Sequence, residues 1–158
     1  MYMRCIPLKK VGEAEEVNVR TREAVKEMRR MYLHTTLFTA SIYEALCIDD
    51  KRAELIIYID LRKTIRGCIE DCLESGKKRH ETCIIYYGRE ACGEYDEEAE
   101  KAMCTDKCEA YYLDKADLAV YKILRSLEVM NKYGIKYVEK VSYPSKHEVL
   151  IKVHLYLK

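Results

Sequence analysis

Two Cys-x-x-x-Cys pairs, Cys68 with Cys72 and Cys104 with Cys108, have the residue types and the spacing for chemistry. Each pair falls in a segment of helical character, and residues four apart lie on one helix face about one turn apart. If the two helices run antiparallel, Cys68 faces Cys108 and Cys72 faces Cys104. We therefore predict two disulfides that join the helices.

Zinc binding is the alternative for these four thiols, although structural zinc sites usually use Cys-x-x-Cys knuckles on turns. Unpaired buried thiols are a third alternative. The chain has eight cysteines, and by elimination we pair Cys5 with Cys47 and Cys83 with Cys92. We expect neither a metal nor another cofactor.

The composition indicates where such a protein could keep disulfides. A chain of 158 residues can bury a core without cross-links, so eight cysteines are more than its size requires. We expect no membrane span and no signal peptide, because no apolar run is long enough and the first residues lack a hydrophobic region. Intracellular proteins of hyperthermophiles are often rich in disulfides. We therefore expect a hyperthermophilic archaeal source, cellular or viral.

Charge and aromatic content bear on the partners. The formal net charge of +1 excludes an obviously polybasic protein, but one concentrated basic face could still bind nucleic acid. The chain has 14 Tyr and a single Phe. Tyr buries its ring and keeps a polar tip, which suits contacts between subunits. An ordinary core built with Tyr is the alternative.

The hydrophobic pattern predicts helices through most of the chain. Apolar positions at spacings of three and four favour a long helix from Thr21 to Cys47, and Asp49-Asp50 could then cap a second helix over 51–75. Within that second segment, Leu55 to Ile59 has a strong β propensity, so a strand there is the main alternative. Gly76 would end the helix, followed by a basic loop, Lys77 to His80.

The second half ends in a different pattern. Residues 81–92 could be either strand or helix, and residues 94–133 favour a helix with Gly134 as its stop. Two alternating segments around Pro144-Ser145-Lys146 predict a hairpin. We therefore predict a mainly α protein, a helical bundle in a single domain over residues 1–158. It comprises an extended N-terminal arm (1–19), a helical body (20–133) and a C-terminal antiparallel β-hairpin (135–157).

The C-terminal third contains the stretches Leu113 to Tyr121, Tyr133-Gly134-Ile135-Lys136, Val141-Ser142-Tyr143-Pro144 and Val149-Leu150-Ile151. These stretches resemble the end of CRISPR-associated exonucleases of the RecB type. That family has a Gln-x-x-x-Tyr helix, a Tyr-Gly-Ile-Lys turn and a Tyr-Tyr-Pro hairpin. The resemblance covers about 45 of the 158 residues.

The chain departs from that family where catalysis would need a match. Asp117 replaces the Gln, no Glu-x-Lys occurs, and Ile84 to Tyr87 stands where the metal-binding strand would fall. The family also ends in an iron–sulfur cysteine cluster, whereas no Cys follows Cys108. We expect no catalytic residues and no enzymatic activity. The alternative is a metal-dependent nuclease that uses Asp49, Asp60 or Asp117 with Lys51.

The resemblance also implies a role for an inactive relative. A nucleocapsid protein of rod-shaped viruses of hyperthermophilic archaea has been regarded as such a derivative. It implies a capsid protein that multimerises around double-stranded DNA as a helical filament, alone or with a second coat subunit. The virion would assemble in the cytoplasm of the archaeal host. An intracellular DNA-binding or adaptor protein is the other alternative.

Basic residues on predicted helix faces could supply the phosphate contacts of such a protein. Lysines and arginines cluster on the first helix, on the second helix and on the predicted loop. The candidate DNA-binding residues are Arg22, Lys26, Arg29, Arg30, Arg62, Lys63, Arg66, Lys77, Lys78 and Arg79. Glu23 and Glu27 interrupt the first cluster, so a mixed solvated surface is the alternative.

Overall fold

The computed structural model describes residues 4–13, 19–33, 41–49 and 52–156. The strands in these ranges are β1 (Arg4–Pro7), β2 (Ile42–Ile48), β3 (Arg52–Asp60), β4 (Lys136–Ser145) and β5 (Glu148–Tyr156). The α-helices are α1 (Val19–Leu33), α2 (Arg62–Tyr87), α3 (Arg89–Cys92), α4 (Glu97–Ser126) and α5 (Val129–Lys132). A 3-10 helix covers Leu8–Glu13.

The prediction of a mainly α bundle is wrong, because the described residues form a mixed α/β structure around a five-stranded antiparallel sheet. The strand order is β1-β2-β3-β5-β4. The predicted C-terminal hairpin is confirmed as β4 and β5, but it is one edge of this sheet rather than an appendage. Part of the predicted N-terminal arm is β1, which pairs with β2 at the other edge.

One face of the sheet forms the core. Leu55, Ile57 and Ile59 of β3 are buried, as are their partners Val153, Ile151 and Val149 of β5. Buried apolar residues of the helices complete this core, and they are Ala24, Val25, Met28, Tyr32, Ala116, Ala119, Val120, Ile123 and Met130. Because strand side chains alternate between faces, the residues between those buried positions lie on the opposite face.

The predicted helix from Thr21 to Cys47 is wrong in its second half. Helix α1 ends at Leu33, residues 34–40 lie outside the described residues, and β2 follows. Ile42 and Ala45 continue the helical spacing of α1, but Ile42, Leu46 and Ile48 are also two or four residues apart. Pairing with β1 and β3 selects the strand period of two.

The predicted helix over 51–75 is also wrong at both ends. Its first part is β3, in agreement with the strand alternative for Leu55 to Ile59. Helix α2 begins only at Arg62 and continues through Gly76 to Tyr87. The predicted basic loop from Lys77 to His80 is therefore helical, and so is Ile84 to Tyr87.

The chain divides into two compact units, residues 1–60 with 115–158, and residues 61–114. The first unit is built on the sheet and includes α1 and the C-terminal part of α4. The second unit contains α2, α3 and the N-terminal part of α4. The helix predicted over 94–133 is observed as two helices, α4 and α5.

Glycines set the connection between the long helices of the second unit. Gly88 and Gly93, on either side of α3, have φ angles of 79° and 70°. This left-handed backbone region disfavours side chains with a Cβ. The side chain of His80 supports the turn, because its Nε2 lies 3.0 Å from the carbonyl oxygen of Gly93.

Candidate functional site

All eight cysteines form disulfides, so the pairing predicted for the two Cys-x-x-x-Cys pairs is confirmed. Cys68 bonds to Cys108 and Cys72 to Cys104, with Cα–Cα distances of 6.0 and 5.8 Å. These distances lie within the usual range for disulfides. The pairs assigned by elimination are present as well, namely Cys5–Cys47 and Cys83–Cys92. No cysteine is left as a free thiolate for zinc.

The two disulfides between α2 and α4 define an antiparallel register that continues for another turn. A step of four residues along α2 from Cys72 reaches Gly76, and four residues back along α4 from Cys104 is Glu100. Gly76 is buried, and a Cβ at this position would collide with the Glu100 side chain. The Glu100 side chain therefore occupies the space that a Cβ at position 76 would fill.

The four predicted DNA-binding residues of α1 differ in their surroundings. Arg29 is engaged within the fold, because its Nε donates to Glu44 at 3.1 Å. Arg22 is partly buried, while Lys26 and Arg30 are exposed. The hydrogen bond from Tyr133 lowers the pKa of Glu27 most, and the charge of Arg30 makes a smaller contribution in the same direction. Lys26 is therefore the residue of this group best placed to bind an external anion.

The six predicted residues of α2 are exposed, but half of them pair with carboxylates. Lys78 lies 3.3 Å from Glu74. Longer ion pairs link Lys77 to Glu97 and Arg79 to Glu100 in α4, at 3.8 and 3.6 Å. Such exposed pairs contribute little to stability, but each places a carboxylate beside the cation.

Lys63 and Arg66 form the basic pair of α2 that has no ion-pair partner among the described residues. They are three residues apart and so lie on the same side of the helix. Arg62, beside Lys63, is exposed but already has a partner. This segment could contact adjacent phosphates without selecting a base sequence.

The carboxylates of the nuclease alternative are dispersed. Asp49 follows β2 and accepts from Arg52 at 2.9 Å, whereas Asp60 ends β3 beyond the other end of β2. Eight residues of strand separate these two positions, which corresponds to about 26 Å. Asp117 is exposed on α4. Lys51 lies outside the described residues, within which no group of three or more His, Cys, Asp or Glu side chains could hold a metal.

Sequence analysis missed the sheet face opposite the core, which we call the open face. It carries Tyr43 and Tyr58 on β2 and β3, Lys152 and Tyr156 on β5, and Lys136 and Lys140 on β4. Tyr43 and Tyr156 are 58% and 50% exposed. The alternation of Lys152, His154 and Tyr156 with apolar residues was the available signal, but it indicates only that one face of the strand is polar.

Two lysines lie directly opposite each other on the open face. Lys140 of β4 is the Cα partner of Lys152 of β5, and both are exposed. Like charges in this position are destabilising. Neither lysine has an ion pair within the described parts of the chain. The pair is therefore an unneutralised positive site on an otherwise mixed surface.

A buried carboxylate on the core face has a structural role. Glu44 accepts hydrogen bonds from the Tyr32 hydroxyl and from Arg29 Nε. Its side chain is only 8% exposed. Burial, with the neighbouring charge of Glu44, raises the pKa of the Tyr32 hydroxyl well above its ordinary value. Tyr32 thus remains protonated as a donor that joins α1 to β2.

No helix in the described residues is both long enough and apolar enough to cross a membrane. No protein-family model, curated protein or solved structure matches this chain. The features of the molecule that bear on function are therefore the disulfides, the basic residues Lys63 and Arg66 of α2, and the open face.

Proposed function

We propose that this chain is a structural, non-enzymatic virion protein that multimerises around double-stranded DNA in a virus of hyperthermophilic archaea. The observation that carries the proposal is the disulfide-linked pair of helices α2 and α4, with Lys63 and Arg66 exposed on α2. This combines a cross-linked scaffold with cations available for phosphate.

The disulfides support a role in which the protein must stay folded at high temperature. In the unit of residues 61–114, the buried residues are Leu61, Ile65, Gly76, Cys104 and Cys108. So small an apolar core cannot by itself stabilise a helical pair, and small units of this kind usually rely on disulfides. Three of the four disulfides lie within this unit. A coat protein that must survive heat outside a cell would benefit from such cross-links.

The exposed cations Lys63 and Arg66 could bind the phosphates of duplex DNA. Contacts of this kind are independent of base sequence, as a coat along a whole genome requires. The exposed side chains of Ile85, Tyr86 and Tyr87 at the end of α2 supply apolar and aromatic surface for contacts between subunits. Self-association or a second coat subunit would bury them.

Duplex binding by oxidised protein tests the proposal. We expect the affinity for a blunt duplex of about 20 base pairs to fall as salt rises, because bound phosphates release counterions. Replacing Lys63 and Arg66 with Ala should reduce the slope of log affinity against log salt by about 1.8, since each lost contact contributes about 0.9. Fluorescence anisotropy over a salt series measures this slope.

The matched control replaces Lys101 and Lys107, which are exposed on α4, with Ala. It removes the same charge from the same unit and should leave the slope within about half a unit of the parent value. An oxidised chain that does not bind the duplex at low salt would overturn the proposal. So would equal effects of the two double substitutions.

A further inference from the structure

We propose that the open face of the sheet binds single-stranded nucleic acid, with lysines on the phosphates and tyrosine rings against the bases. This goes beyond the proposed function, which assigns duplex DNA to the helix α2. The open face belongs to the sheet unit, and its residues Tyr43, Lys136, Lys140, Lys152 and Tyr156 are all exposed.

The layout of the face matches an extended strand of nucleotides. Tyr156 and Lys152 lie on β5, and further along the sheet Tyr58 pairs with Tyr43, with ring centroids 6.1 Å apart. Leu150 is the β5 partner of Tyr58, and it lies six residues from Tyr156 along the strand, a distance of about 20 Å. Lys140 and Lys152 lie between these aromatic ends, and Lys136 is level with Tyr156. Aromatic platforms separated by cations are the usual means of binding single strands.

The lysines provide the charge complementarity. Lys140 and Lys152 face each other across β4 and β5 without a carboxylate partner among the described residues. Lys136 is the Cα partner of Tyr156 and lines a groove of about 540 Å³ with Val138, Tyr156 and one carboxylate, Glu139. A phosphate bound between Lys140 and Lys152 would relieve the repulsion between them.

The acidic groups of this face have partners within the fold. Glu148 accepts from the Tyr58 hydroxyl at 2.8 Å, and Glu54 lies 3.8 Å from His154. Asp60, opposite Glu148 in the register, also has a partner. These carboxylates lie on β3 and β5, whereas β4 contributes Lys136, Val138, Lys140 and Ser142 to the face. The positive charge is therefore concentrated towards the β4 edge.

A single strand fits this surface better than a duplex. The bases of a single strand are free to stack on exposed rings, whereas those of a duplex are paired and show only their edges in the grooves. Tyr43 is 58% exposed, so one side of its ring is accessible. Stacking and phosphate contact require no particular base, so DNA and RNA strands of simple sequence are suitable probes.

Anisotropy of labelled oligothymidine and oligouridine, each of about 15 nucleotides, tests this inference on oxidised full-length protein. Two phosphate contacts on a single strand contribute about 1.4 to the slope of log affinity against log salt, which is a factor of about 25 for each tenfold change in salt. Replacing Lys140 and Lys152 with Thr should therefore weaken binding about 25-fold at about 0.1 M salt. Tyr43→Ala should weaken it about tenfold, whereas Tyr43→Phe should retain it. Circular dichroism confirms that each variant is folded.

Cross-comparison with the duplex experiment separates the two proposals. Replacing Lys63 and Arg66 should leave single-strand binding unchanged, and replacing Lys140 and Lys152 should leave duplex binding unchanged. Loss of duplex binding alone would defeat the proposed function and leave this inference standing. The inference is overturned if the chain binds neither oligonucleotide at low salt. It is also overturned if replacing Lys140 and Lys152 weakens duplex binding more than single-strand binding. Single-strand binding that survives both the Lys140/Lys152 replacement and Tyr43→Ala would overturn it as well.

Discussion

Glu27 illustrates how a single half-buried carboxylate joins two helices. It accepts hydrogen bonds from Tyr133 Oη at 2.5 Å and from Lys132 Nζ at 2.9 Å, which connect α1 to the end of α5. The bond from Tyr133, followed by the bond and charge of Lys132, lowers the pKa of Glu27 below its ordinary value. The folded state therefore favours the ionised carboxylate more than the unfolded chain does.

This lowered pKa has a defined effect on stability. A carboxylate with a depressed pKa in the folded state stabilises the fold above its unfolded pKa and loses that effect as pH falls through the folded value. Glu27→Gln should therefore be less stable than the parent at neutral pH, and the difference should vanish at a pH below the folded pKa. Urea denaturation over about pH 2 to pH 7 measures the difference in the free energy of unfolding between the two proteins.

Glu70→Gln is the matched control, because Glu70 is an exposed carboxylate on α2. Its replacement should not change stability with pH in the same way. A Glu27→Gln protein that keeps its full deficit at the acid end of the series would show that the carboxylate does not act through its charge.

At the scale of elements, the α2–α4 pair depends on two nested disulfides. When Cys68–Cys108 is removed, Cys72–Cys104 still joins the helices, so the released loop is only about eight residues. Chain entropy then gives a cost of about 2.5 kcal/mol. Removing the second disulfide also releases the long connection between the helices, which brings the total to about 6 kcal/mol.

The difference in cost between losing one disulfide and losing both predicts how Cys→Ala variants behave. Loss of either α2–α4 disulfide should leave the amides of α2 protected from hydrogen exchange, with a modest fall in protection. Loss of both should abolish most of that protection, because the buried apolar core of residues 61–114 is small. Hydrogen exchange followed by mass spectrometry resolves α2 from the sheet.

Replacing Cys5 and Cys47 with Ala is the control, since this disulfide joins paired residues of β1 and β2 in the other unit. It should leave exchange in α2 unchanged. If α2 stays protected after both of its disulfides to α4 are removed, the cross-links do not hold this unit together.

The sequence predicted the local patterns better than the long-range ones. The cysteine spacing gave the α2–α4 disulfides because residues four apart share a helix face. The alternation in Glu148 to Tyr156 gave β5, whose pattern is strictly period two. Leu55 to Ile59 remained ambiguous, because its structure depends on pairing with β2 and with β5, and β5 lies far away in sequence.

The candidate site was predicted only in part for the same reason. Lys63 and Arg66 are neighbours in sequence, so their helix face was recognisable. Lys140 and Lys152 meet only through the register of β4 and β5, and nothing local marks them as a pair. The carboxylate partners of Lys77 and Arg79 lie in α4, so sequence analysis overestimated the free basic surface of α2.

At the scale of the whole molecule, each unit carries its own candidate surface for nucleic acid. The sheet unit has the open face with Lys140 and Lys152, and the unit of residues 61–114 has Lys63 and Arg66. The formal net charge of only +1 means that neither surface acts through a general positive field. Binding should therefore depend on these local cations.

Electron microscopy of oxidised protein mixed with linear double-stranded DNA tests the proposed function most directly. We expect helical filaments of uniform diameter that follow the DNA, and we expect fewer of them when Lys63 and Arg66 are replaced with Ala. The control with Lys101 and Lys107 replaced should form filaments like the parent. Bare DNA among dispersed protein particles, at low salt and with excess protein, would contradict the account.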